Sequence, residues 1–275
     1  MGLRHIRSPE QRLQANRLAS CDLADPRATE EIVEEVRPDA VLHLAGTATG
    51  TAHDLYRSNL LATSNLVEAL SKHSPSARVV LCGSAAEYGP VAASPISETT
   101  ACSPSGPYGL SKYAATLCAL EEHRRSGLPV AVARLFNVVG SGMPDTLLAG
   151  AVIGRMRSAL ATGHSSIAIG HLDAIRDFIA VDDAVDALLG LLSGKSWGKV
   201  VNICSGKPTA VGEVAKTLLE LAPRHLELRQ DDSLFRSDEA ASIVGDPSRA
   251  RAELGFVAKV PLEEALRSAW IESGS

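Results

Sequence analysis

Short aliphatic runs alternate with amphipathic stretches along this chain of 275 residues, and no other feature limits its fold so tightly. Four runs read as strands: Ala40-Val-Leu-His-Leu-Ala45, Ala77-Arg-Val-Val-Leu-Cys82, Pro129-Val-Ala-Val-Ala-Arg134 and Val200-Val-Asn-Ile-Cys204. Strands that are apolar on both faces belong to a parallel sheet sandwiched between two layers of helices. The segments between them supply the helices. Residues 28–36 follow an Asp25-Pro26 start signal, and residues 62–71 and 111–126 have helical periodicity without internal proline. A further helix capped by Asp182 or Asp183 runs to about residue 192, and residues 211–221 and 261–271 complete the set. Loops rich in Gly, Pro and Ser fall at 89–107, 140–144 and 205–210, where a doubly wound sheet carries its ligand-binding connections.

A formal charge of -5 argues against chain-wide attraction to nucleic acid or to an anionic membrane. No apolar run reaches the roughly 18–20 residues needed to span a bilayer. The first residues, Met1-Gly-Leu-Arg-His-Ile-Arg7, lack the apolar core of a secretory signal. Five cysteines, Cys21, Cys82, Cys102, Cys118 and Cys204, are widely spaced and form no Cys-x-x-Cys pair. A cytoplasmic location with reduced thiols is therefore expected. The histidines show no zinc-type spacing, so no metal is expected either.

Chemistry is concentrated in two segments. Tyr108-Gly-Leu-Ser-Lys112 begins a predicted helix, where residues four apart share a face. A lysine ammonium beside a phenol favours the phenolate and brings the tyrosine toward proton transfer at neutral pH. Alone, such a pair also fits a solvated helix face. The second segment is Gly83-Ser-Ala-Ala-Glu-Tyr-Gly89, which places the Ser84 hydroxyl at the carboxyl end of a strand, where open α/β sheets gather catalytic groups.

Together the two segments resemble the extended short-chain dehydrogenase/reductases, the NAD-dependent epimerase/dehydratase family, and in particular its nucleotide-sugar branch. The resemblance implies a Rossmann-like, doubly wound α/β fold. Its Rossmann-like domain would take residues 1–140 and about 173–204, and a small C-terminal subdomain of about 141–172 and 205–275 would bind the nucleotide-sugar. Ser84, Tyr108 and Lys112 become the catalytic triad: Tyr108 the general acid or base, Ser84 its partner on the same substrate oxygen, and Lys112 the group that lowers the tyrosine pKa and holds the nicotinamide ribose. Asp22 and Leu23 match the segment beside the adenine ring, and Leu44, Ala45 and Gly46 match a strand end close to the cofactor. For His43, in the same strand, a satisfied strand histidine is the simpler reading. Asn137 and Arg176 fall in segments that meet the substrate, and Arg236 in the part that receives its diphosphate. An arginine suits that last task because its rigid fork makes paired bonds to phosphate oxygens. The implied cofactor is NAD or NADP, with NADPH favoured for a reductase. The implied partners are a nucleotide-diphosphate sugar and a second copy of the chain, paired through the helix of Tyr108 and its neighbour.

Within the family, 4,6-dehydratases need an acidic group immediately after the catalytic hydroxyl residue. Here those positions are Ala85 and Ala86, which cannot accept a proton, and Glu87 one residue on is aimed elsewhere. That leaves 4-keto reduction and 4-epimerisation. Gly170-His-Leu-Asp-Ala-Ile-Arg-Asp-Phe178, Phe235-Arg-Ser-Asp238 and Gly245-Asp-Pro-Ser248 look most like the reductases acting on GDP-4-keto-6-deoxymannose, so reduction is the preferred reaction. The family's glycine-rich strand–turn–helix, which binds pyrophosphate, has no counterpart in residues 1–20, whose only glycine is Gly2. Residues 3–9 read as the remains of a second strand, with Arg7 placed to meet a 2'-phosphate. The missing turn keeps a sugar-nucleotide-binding or scaffold protein without catalysis as the alternative of another class.

Overall fold

The computed structural model describes residues 2–3, 18–92, 94–234 and 241–272. Its first half comprises β1 (Gly2–Leu3), β2 (Leu18–Ala19), α1 (Pro26–Val36), β3 (Ala40–His43), α2 (Ala52–Leu55), a π-helical stretch (Tyr56–Leu61), α3 (Ala62–His73), β4 (Arg78–Ser84) and a 3-10 turn (Ala85–Glu87). Next come α4 (Gly106–Ser126), β5 (Val130–Leu135), β6 (Asn137–Val139), α5 (Leu148–Thr162), β7 (Ser166–Ile169), β8 (Ile175–Ala180), α6 (Val181–Ser193) and β9 (Val200–Ile203). The rest is β10 (Pro208–Ala210), α7 (Val211–Glu220), β11 (Glu227–Gln230), β12 (Ser242–Ile243), α8 (Ser248–Leu254) and α9 (Leu262–Glu272).

The four predicted strands form one parallel sheet in the order β3-β4-β5-β9. Alternation along the strands explains the double winding. Val79, Leu81, Val130 and Val132 pack with Leu66 and Leu70 of α3 and Ala119 of α4, whereas Val80, Ala131, Ala133 and Val201 pack with Ala187, Leu188 and Leu191 of α6. Each fully buried aliphatic side chain of this kind stabilises the fold by about 1.5–3 kcal/mol before entropy is counted. Among the described residues β3 pairs with β4 alone, and β1 and β2 pair with each other in a separate parallel ribbon. Of the remnant strand expected at residues 3–9, only Leu3 is described; Arg7 lies outside the described residues.

Local signals set most helix ends. The Asp25 carboxylate accepts from the Arg27 and Ala28 N–H groups ahead of Pro26, and α4 stops at Gly127, whose φ of 79° is left-handed. One expected cap is corrected. Ala180 precedes α6, while Asp182 and Asp183 lie in its first turn. The Asp183 carboxylate is taken by the Lys259 and Val260 N–H groups, tying α6 to the chain before α9.

The second half is organised on β8, which pairs with β6 and β12 in parallel and with β10 antiparallel. Helices α5, α7 and α9 share a core with β7, built on Ile153, Met156, Leu218 and Leu266. Asp177, fully buried on β8, is the joint. Its carboxylate accepts the Ser205 N–H at 2.8 Å, the Ser205 hydroxyl at 2.7 Å, the Gly206 N–H at 2.9 Å and the Gly245 N–H at 3.2 Å. Among the described residues no helix is long and apolar enough to cross a membrane, and no group of three or more His, Cys, Asp or Glu could hold a metal ion.

Candidate active site

The triad converges where β4 ends. Ser84 is the last residue of that strand, extended at φ -146°, and its hydroxyl accepts the Ala86 N–H at 3.2 Å as the chain turns. Helix α4 begins early enough to place Tyr108 in its first turn and Lys112 one turn later. A close approach brings the two elements together. A methyl group on Gly109 would come 2.5 Å from the Ala86 carbonyl oxygen, so only a glycine lets α4 sit on the turn after Ser84.

Burial dominates the electrostatics. It pushes the Tyr108 hydroxyl above the ordinary phenol value, opposed by a side-chain hydrogen bond with Ser84 and aided by the charge of Glu87. It holds the Lys112 ammonium below the ordinary lysine value, opposed by Cys82 and Glu87. The Lys112 Nζ donates to the Cys82 carbonyl, which uses one of its three protons. A Cβ on Gly46 would lie 4.0 Å from Nζ, so the exposed strand end Leu44-Ala45-Gly46 borders the ammonium. The remaining donors of Lys112 and this uncovered backbone suit the hydroxyls of a ribose. At the other end, Asp22 accepts the Ala24 N–H at 3.0 Å and pairs with Arg57, and the Leu23 carbonyl accepts from Thr29 and Asn65.

Three further features shape the site, two of which escaped the sequence reading. Asn59, buried in the π-helical stretch, donates to the Thr47 carbonyl and to the Ser111 hydroxyl, both at 2.9 Å, and accepts the Thr47 N–H at 2.9 Å. It thereby pins the turn after Gly46 to α4, since Ser111 donates in turn to the Tyr108 carbonyl. His43 lies below, a satisfied strand histidine. Thr63 spends its proton on the Asn59 carbonyl, so the 3.0 Å contact means that His43 Nε2 donates to the Thr63 hydroxyl. The third is the partnership of Glu87 with Arg134, whose Nη2 lies 2.7 Å from Oε2 in full burial. An Asn, Thr or Glu in these positions carries no spacing signal, because each finds its partners far along the chain.

The expected substrate residues stand on the neighbouring strands. Asn137 opens β6 and donates to the Asp177 carbonyl at 2.8 Å, while Arg176 on β8 is buried and donates to the Ile175 carbonyl at 2.8 Å. Arg236 lies outside the described residues.

A Rossmann-like sheet with a Ser, Tyr and Lys gathered at a strand end defines a short-chain dehydrogenase/reductase. The model of the NAD dependent epimerase/dehydratase family matches residues 3–204, and the chain belongs to that family. It is 34% identical over 257 residues to the GDP-6-deoxy-D-mannose reductase of Pseudomonas aeruginosa, covering 90% of this chain and 84% of that one. The GDP-6-deoxy-D-talose 4-dehydrogenase of Aggregatibacter actinomycetemcomitans is 29% identical over 85% of this chain and 79% of its own length. Among solved structures, RMD from Pseudomonas aeruginosa complexed with NADPH superposes with a TM-score of 0.83 at 31% identity, over 95% of this chain and 92% of that one.

Proposed function

We propose that this protein is an NAD(P)-dependent oxidoreductase of nucleotide-diphosphate sugars that reduces the 4-keto group of an NDP-4-keto-6-deoxyhexose. The observation that carries the reading is the convergence of Ser84, Tyr108 and Lys112 beside the open strand end at Gly46. Relatives named for reducing a GDP-6-deoxyhexose, or for oxidising one at C4, support it.

A nicotinamide cofactor, when bound, would supply the hydride. Asp22 and Leu23 would hold its adenine end, and Leu44, Ala45, Gly46 and Lys112 its nicotinamide ribose. Tyr108 gives its proton to the C4 oxygen as the carbonyl becomes an alcohol. At neutral pH the buried phenol carries its proton, the form that reduction requires. The Ser84 hydroxyl, held by the Ala86 N–H and hydrogen-bonded with Tyr108, stands beside the phenol and orients the same substrate oxygen. Asn137 and Arg176 would meet the sugar-nucleotide, with residues of about 141–172 and 205–275 as its subdomain. Leu110 and Leu117, seven apart on α4 and about half exposed, support a homodimer formed through that helix.

The test is calorimetric titration of the full chain with NADPH and NADH, followed by the rate of NADPH consumption with GDP-4-keto-6-deoxymannose. Micromolar binding and turnover are expected. Inversion at C4 without net consumption of NADPH makes the protein an epimerase, and a folded chain that binds neither nucleotide refutes the oxidoreductase reading.

A further inference from the structure

Ser84 can act only where its main chain holds it, and that main chain is fixed from beneath by a charged pair outside the triad. Glu87 closes the 3-10 turn after Ser84 and has no exposed surface. Its Oε1 accepts the Ser84 N–H at 2.8 Å, and its Oε2 accepts from Arg134 Nη2 at 2.7 Å and Nε at 3.0 Å. Arg134, buried on β5, lies over the Tyr88 ring at 4.4 Å from the centroid, and the Tyr88 hydroxyl donates to Asn202 of β9 at 2.7 Å. Three strands are thus stitched together below the serine. A methyl on Gly83 would come 2.5 Å from Oε1, so the carboxylate lies flat against the backbone of β4.

Such a pair is a poor stabiliser. Desolvating two charges costs several kcal/mol, and apolar side chains of similar volume commonly hold a fold as well or better. An apolar pair here would lack two things. It could not accept the Ser84 N–H, and it could not place a negative charge next to the triad. The pair is oriented for the second task, with the carboxylate toward Ser84 and the guanidinium beneath. The Glu87 charge acts upward on both the Tyr108 hydroxyl and the Lys112 ammonium.

We propose that Glu87 is a positioning residue for catalysis: held by Arg134, its carboxylate fixes the Ser84 turn and supplies the standing negative charge against which Tyr108 exchanges a proton with the sugar oxygen beside the Lys112 ammonium. The proposal rests on the triad reading above, yet its charge effect can be read without turnover.

The experiment compares the full chain with Glu87→Gln, which removes the charge, and Glu87→Asp, which keeps it but draws the carboxylate back by one methylene. Ring-13C-tyrosine NMR follows the ionisation of Tyr108, assigned against the other three tyrosines with Tyr108→Phe. The pH profile of 4-keto reduction is recorded beside it. In Glu87→Gln, Tyr108 ionises at lower pH than in the parent, and the alkaline limb of kcat moves the same way. In Glu87→Asp that titration stays near its parent position while kcat falls about tenfold or more as Ser84 shifts. Should Glu87→Gln fail to fold, Glu87→Gln with Arg134→Met neutralises both partners and the same comparison applies. An unmoved Tyr108 titration in a folded charge-free variant overturns the charge role, and full kcat in Glu87→Asp overturns the positioning role. If the parent reduces no 4-keto sugar, the functional reading fails while the Tyr108 titration still decides the part played by Glu87.

Discussion

Gly109→Ala tests the contact on which the site depends, because two principles give opposite signs for it. In a helix interior, alanine is worth about 1 kcal/mol more than glycine. At this position, however, the new Cβ would lie 2.5 Å from the Ala86 oxygen, 3.3 Å from the Ala86 carbonyl carbon and 3.1 Å from Pro104 Cβ. An ordinary carbon–oxygen contact is about 3.3 Å, so the first turn of α4 must retreat by about 0.8 Å. Backbone and a proline ring cannot rotate aside as a flexible side chain would. Overpacking of this kind costs about 1–3 kcal/mol, which cancels or exceeds the helical gain. The larger effect is on Tyr108, the preceding residue, which moves away from Ser84. A misplacement near 1 Å costs about a hundredfold in rate. Gly190→Ala in α6 is the control, since nothing lies within 4 Å of its new methyl and only the helical gain remains. The assay pairs urea denaturation with NADPH-dependent turnover. Gly109→Ala is expected to lose about two decades of kcat without gaining stability, and Gly190→Ala to gain up to about 1 kcal/mol with turnover unchanged. If Gly109→Ala matches the control in both respects, the close approach of α4 to the Ser84 turn is refuted.

Three further outcomes are expected. Tyr108→Phe lowers kcat by about 10²–10⁴ while NADPH still binds in calorimetry, and a fall of less than threefold removes Tyr108 from the proton transfer. Asp177→Ala leaves the N–H groups of Ser205, Gly206 and Gly245 without their acceptor, at about 1–3 kcal/mol each, so urea denaturation should show a loss above about 3 kcal/mol. A loss under about 1 kcal/mol would mean that the joint is not what holds β12 to β8. His43 is held down at about 4 by burial and by the Lys112 charge, against an ordinary imidazole value of 6.5. The unfolded chain therefore takes up a proton that the folded one refuses. Stability from this residue is full above pH 6.5 and lost as pH falls toward 4, by about 3 kcal/mol in all. His43→Gln keeps a donor for Thr63 and should flatten that acid slope in denaturation curves between pH 7 and 4.5; an unchanged slope would place the His43 proton elsewhere.

What could be read from the sequence was what neighbours in the chain decide. The four sheet strands follow from short unbroken apolar runs and the Tyr108–Lys112 pair from a spacing of four, and Asp25-Pro26 marks the start of α1 without help from the rest of the fold. Helix α5 was missed because Gly150 and Gly154 weaken its helical signal. Those glycines face Pro144 and Asp145, and on Gly150 a methyl would come 2.3 Å from the Pro144 oxygen, so they serve a contact that no local pattern reveals. The misplaced cap of α6 has the same origin. An aspartate ahead of an apolar run suggests an N-cap, yet Asp183 satisfies N–H groups at 259 and 260 instead. Strands β6, β8 and β12 are short and take their pairing from one another, so they too became visible only in three dimensions.

The same division runs through the site. The motif places Tyr108 near Lys112 and suggests that the ammonium draws the phenol pKa down. In the folded chain the Lys112 ammonium is engaged by the Cys82 carbonyl, and what acts on Tyr108 is burial, Ser84 and Glu87. Burial pushes both groups toward their neutral forms, the tyrosine upward and the lysine downward. The two proton affinities therefore move in opposite directions from starting values that are nearly equal in water. A protonated phenol at the end of β4 is the form that gives a proton to a carbonyl oxygen. Spacing in the sequence chooses the partners, and the dry interior that α4 and the Ser84 turn make together sets the direction in which each one's proton affinity moves.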